Sequence, residues 1–79
     1  MSDDYEEKIV ALLKEILKTN EVTALSEVGR PYQWDSLKHI SIMLKVESHF
    51  KIVIGPAKIA DLSSVQKISE FIREAERAL

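Results

Sequence analysis

Tyr5, Ile9, Leu12, Leu13, Ile16 and Leu17 recur every three or four positions, a spacing that predicts a helix with one apolar stripe. Asp3 followed by Glu6 resembles a capping box, and the acids of the first turn suit the positive end of a helix dipole. The stripe ends at Thr19-Asn20, two residues that favour turns. From Thr19 to Trp34 no period holds, and Asn20, Gly29 and Pro31 mark a connection. A connection this long in a small domain points to an ordered, functional loop. Val22, Leu25, Val28, Tyr32 and Trp34 are the residues expected to pin it to the core.

A second helix is predicted from Asp35 to about Phe50, with Ile42, Met43, Val46 and Phe50 as its core stripe. Lys51-Ile52-Val53-Ile54 is β-branched, but no second strand exists to pair with it, so it reads as an extended linker ending at Gly55-Pro56. Residues 57–62 suit one short helical turn. Ser63 and Gln66 repeat the capping-box spacing ahead of a last stripe formed by Val65, Ile68, Phe71, Ile72, Ala75 and Leu79. The predicted fold class is all-α: one domain over residues 1–79, a small four-helix bundle of three main helices plus one short helix, with a long loop between the first and second helices.

Composition narrows the chemistry. A chain of 79 residues buries a thin core and leaves little apolar area for a deep cleft. Cysteine is absent, which removes disulfides, thiolate metal sites and a thiol nucleophile. With 13 acids against 11 bases the net charge is −2, which offers no global basic field for nucleic acid. The start of the chain is acidic and polar, unlike a signal peptide, and no stretch nears the roughly 18 apolar residues of a membrane span. The expectation is a cytoplasmic protein that binds neither nucleic acid nor membrane.

The second helix holds the candidate chemistry. Leu37, Ile40 and Leu44 lie off its core stripe, with Leu37 and Leu44 two turns apart. They suit a contact surface for another molecule. A helix buried over a broader face is the plainer account of the same pattern. Asp35 and Ser36 open the helix, where both residue types commonly cap free N–H groups. His39 falls on the inward side, as a core or boundary histidine. His49 lies ten residues on, which is not a metal-ligand spacing on a helix, so no metal is expected. Paired carboxylates, a Gly-rich phosphate loop and a Ser-His-Asp pattern are lacking, and catalysis is not expected.

Trp34-Asp35-Ser36-Leu37 resembles the attachment motif of the acyl and peptidyl carrier protein family, in which Asp-Ser-Leu opens the second helix. The similarity runs on through Ile40, Ile42, Leu44, Val46, Glu47 and Phe50, then Ile52 and Ile54, then Leu62-Ser63-Ser64-Val65, Ile68 and Ile72. It covers residues 34–72, about half the chain; the first helix agrees only in length and periodicity.

The resemblance implies a free-standing, monomeric carrier, not an enzyme. Its Ser36 would receive a 4'-phosphopantetheine arm from coenzyme A through a separate magnesium-dependent phosphopantetheinyl transferase. The arm would hold an acyl or aminoacyl intermediate as a thioester, for exchange with loading and downstream biosynthetic enzymes. Asp35 would serve magnesium or transferase contacts, and Leu37, Ile40, Ser41, Leu44 and Glu47 would meet partners.

Two departures matter. Many members carry an acidic second helix, whereas residues 36–51 hold Lys38, Lys45, Glu47 and Lys51, a balance of +2. Ser41, Ser48 and His49 stand where acids are common. Partner selection by charge then points away from housekeeping fatty-acid synthesis and towards a specialised polyketide, nonribosomal-peptide or related pathway. The other reading is a carrier-like interaction module that binds an enzyme through the second helix and is never modified. A small helical nucleic-acid binder is the third, set against the acidic overall charge.

Overall fold

The computed structural model describes residues 5–77; Asp3 and Leu79, named above in a cap and a stripe, lie outside them. The chain is mostly helical, with α1 (Tyr5–Leu17), α2 (Ser36–Phe50), α3 (Pro56–Asp61) and α4 (Val65–Arg77). No strand occurs among the described residues; Glu27 alone makes isolated bridges, to Arg30 and to Ser64.

α1 packs against α2 and α4. It buries Ile9, Leu12, Leu13 and Leu17, the three-and-four pattern of its sequence. Ile42, Met43 and Val46 face it from α2, and Val65, Ile68 and Ile72 from α4, all in one core. Tyr5 closes one end: its ring meets Phe50 edge-on at 6.2 Å, and its hydroxyl donates to the Glu76 carboxylate. Lys18, at φ 56°, turns the chain out of α1 just before Thr19-Asn20.

Residues 18–35 connect α1 to α2 and are held by hydrogen bonds at several points. Glu27 and Arg30 exchange both backbone bonds, at 2.9 and 2.8 Å, around Val28-Gly29. Gly29, at φ 96°, takes the turn position that demands a positive φ. Next to this turn, Val28 N–H donates to the Ser63 carbonyl and Val65 N–H to the Ser26 carbonyl, so the loop is clasped to the start of α4. Of the five residues expected to pin the loop, Val22 and Trp34 are buried. Leu25 and Tyr32 are exposed and Val28 lies at the surface, because the clasp is made by backbone groups and does not need those side chains.

The clasp also corrects the cap of α4. The spacing nominates Ser63, but Ser64 Oγ accepts from Lys67 N–H at 3.1 Å. Ser63 is drawn into the extended pairing with Val28, so the helix begins one residue later. The short helix likewise starts at Pro56 and not at 57, since proline at the first helical position lacks only an N–H that would have no partner there. Residues 52–54 form no strand, and Ile54 is inserted into the core.

Candidate functional site

The start of α2 is assembled by the end of the loop. Trp34 is fully buried, and its N–H bonds back to the Pro31 carbonyl at 3.0 Å while its own carbonyl accepts from Gly29. Its indole Nε1–H donates to His39 Nδ1 at 3.0 Å. With Nδ1 acting as acceptor, the His39 ring carries its proton on Nε2, which donates to the Ile59 carbonyl at 2.7 Å. One imidazole thus ties the loop, α2 and α3 together just inside the start of α2. His39 is 7 % exposed, the inward position its place on the helix indicates.

Asp35 is the cap of α2. Its backbone is extended, and Oδ1 accepts from Lys38 N–H at 2.8 Å. Ser36 is therefore the first helical residue and not the cap. Its side chain is exposed, and its hydroxyl makes no hydrogen bond among the described residues. Because Asp35 occupies the Lys38 N–H, the Ser36 and Leu37 N–H groups remain at the positive end of the helix dipole. An exposed, unengaged hydroxyl beside free N–H groups fits covalent attachment through a phosphodiester. The second Asp35 carboxylate oxygen makes no hydrogen bond among the described residues.

Along the outward side of α2, Leu37 is 79 % exposed, Ile40 50 % and Leu44 59 %. The broader-burial account of these three is excluded by those exposures. Ser41 and Ser48 lie between and beyond them, also exposed. Glu47 has a different place. It is half-buried, and its Oε2 accepts from Ile54 N–H at 2.6 Å. Its backbone carbonyl also accepts from Ile52, and from Lys51 in the left-handed cap. Glu47 holds the 51–54 segment against the end of α2 with one carboxylate oxygen.

Sequence reasoning did not anticipate the Trp34–His39 bond, although a buried tryptophan needing an acceptor and an inward histidine five residues later carry the signal. Val53, 85 % exposed, is an apolar surface residue that the linker reading left unremarked. Among the described residues no group of histidine, cysteine, aspartate and glutamate is placed to hold a metal ion, and no helix is long and apolar enough to cross a membrane. An open depression of about 650 Å³ lies between α3 and α4, lined by Lys58, Phe71 and Arg77 among others, away from Ser36 in sequence.

Comparison with protein-family models, curated proteins and solved structures finds no match to this chain.

Proposed function

We propose that this protein is a carrier that holds a biosynthetic intermediate as a thioester on a 4'-phosphopantetheine arm attached to Ser36. The observation that carries the reading is the Ser36 hydroxyl: exposed, unengaged and relieved of capping by Asp35, at the start of a helix whose outward side is apolar. The resemblance of residues 34–72 to acyl and peptidyl carrier proteins supports it. In this reading the helices form a small four-helix bundle with a long first loop, and the chain is no enzyme.

Attachment is a phosphoryl-type transfer. The Ser36 oxygen attacks the β-phosphorus of coenzyme A, the bond from that phosphorus to the bridging oxygen breaks, and adenosine 3',5'-bisphosphate leaves. The serine proton passes to a base on the transferase, since no general base approaches Ser36 among the described residues. Once attached, the arm supplies the thiol that a chain without cysteine lacks. Ser36 and Leu37 N–H would be the donors available to its phosphate, and Asp35 would serve a magnesium ion or the transferase.

Intact mass tests the proposal directly. The protein, coenzyme A, magnesium and a promiscuous phosphopantetheinyl transferase should yield a gain of one phosphopantetheine, absent in Ser36→Ala. No gain in folded, initially unmodified protein removes the carrier reading.

The second reading, an unmodified interaction module, is favoured by the exposure of Leu37, Ile40 and Leu44, a surface that needs no arm in order to bind. It predicts that Leu44→Asp abolishes partner binding while Ser36→Ala does not.

A further inference from the structure

The geometry points to a partner whose docking face is an apolar groove with an acidic rim along one side, seated lengthwise on α2. This rests on the reading of α2 as the docking helix and adds what the partner must look like.

The shape comes first. Leu37, Ile40 and Leu44 stand at i, i+3 and i+7, the anchor spacing by which one helix face enters a groove on another protein. Ser41 fills the i+4 place with a small side chain, so the anchors project past it and a neighbouring backbone can approach closely. The three anchors span two turns, about 10 Å along the axis.

The charge follows from what the carboxylates do. Formal counting gives residues 36–51 three lysines and one acid. In the structure that acid, Glu47, binds Ile54 N–H, and Asp35 at the other end binds Lys38 N–H. Lys38 and Lys45 are exposed, seven residues apart on one flank of the anchors, and neither enters an ion pair among the described residues. Each therefore presents an ammonium with no carboxylate in ion-pair contact beside the apolar strip, while Asp35 and Glu47 keep their charges at the two ends of the helix. Such a row steers and orients an acidic surface and rejects a basic one.

Other occupants fit less well. A second copy laid antiparallel on the same face by two-fold symmetry would set lysines against lysines. Duplex DNA would gain only a few phosphate contacts from a chain of net charge −2 with no arginine on this helix. An anionic bilayer would meet three aliphatic anchors without an aromatic.

The test uses isotope-labelled Ser36→Ala protein, so that loading at Ser36 plays no part in it. The probes are two helical peptides with leucines at i, i+3 and i+7, one carrying glutamates along a flank and the other lysines in the same places. The expected result is that the glutamate peptide shifts the amide resonances of residues 37–48, weakens as salt rises, and binds about ten-fold less tightly to Lys38→Glu/Lys45→Glu. Leu44→Asp should abolish its binding. Both variants change exposed residues, and circular dichroism confirms that they are folded.

Equal or tighter binding of the lysine peptide, shifts that map off α2, or no response to the glutamate peptide at millimolar concentration overturns the inference. So does binding of phosphatidylglycerol vesicles or duplex DNA through these residues when the glutamate peptide is inert. If the glutamate peptide binds as expected while the wild type accepts no arm, the acidic partner stands and the carrier reading falls. If the arm is accepted and the glutamate peptide fails, only the acidic partner falls.

Discussion

Trp34 and His39 share a hydrogen bond of 3.0 Å in the core, from indole Nε1–H to imidazole Nδ1, with their ring centroids 5.8 Å apart. The contact crosses the boundary between loop and helix, and Asp35 and Ser36 lie in the chain between its two ends. The same imidazole reaches the Ile59 carbonyl, so three segments depend on one side chain.

Replacing His39 by leucine should destabilise the fold by about 1–3 kcal/mol, because it leaves the Trp34 N–H and the Ile59 carbonyl unpaired in a largely buried setting. Urea unfolding measures the loss. Nitrogen NMR of the imidazole in the native protein should show the proton on Nε2; a proton on Nδ1 would contradict the donor assignment.

The cap and the attachment site are adjacent residues with separable effects. Asp35→Ala removes the acceptor for Lys38 N–H and should cost about 1 kcal/mol. Ser36→Ala removes an exposed, unengaged hydroxyl and should stay within about 0.5 kcal/mol of wild type while losing the arm altogether. A large stability loss in Ser36→Ala would mean that its hydroxyl bonds within the fold.

Glu47→Ala should free Ile54 N–H and cost about 1.5–3 kcal/mol, the range for a hydrogen bond to a charged group. Glu47→Gln keeps an acceptor oxygen and should lose less. Amide exchange at Ile54 reports the same bond locally, rising in the alanine variant more than in the glutamine one.

Gly29→Ala is expected to destabilise by about 1 kcal/mol or more, although an added Cβ meets no atom within 4 Å. The cost lies in the backbone, at φ 96°. Gly29→Asn should cost less than Gly29→Val, since asparagine tolerates positive φ and a β-branched residue does not. Equal losses for both would remove the conformational account.

The main helices were legible because their apolar positions repeat at helical spacing and stop at clear signals: Thr19-Asn20 after α1, the β-branched run ending at Gly55-Pro56 after α2. Outward exposure of Leu37, Ile40 and Leu44 was legible for the same reason, as residues off the stripe. What stayed hidden depends on contacts distant in sequence. Ser63 and Ser64 are equally good caps by composition; only the pairing of 26–28 with 63–65 selects Ser64. Glu47 looks like any surface acid until Ile54 N–H is seen to end on it. Ser36 and Asp35 share cap chemistry, and only the Lys38 bond assigns it to Asp35.

The clasp between 26–28 and 63–65 has a consequence in time. During synthesis Ser36 leaves the ribosome well before Ser63 and Val65, the groups that hold the Glu27–Arg30 turn, which is joined in turn to Trp34 through Gly29 N–H. The surroundings of the serine are thus completed only by residues that emerge later. A nascent chain stalled after α2 would display its Asp-Ser-Leu with the loop still unanchored, so the finished arrangement at Ser36 marks a chain that has been made past the start of its last helix.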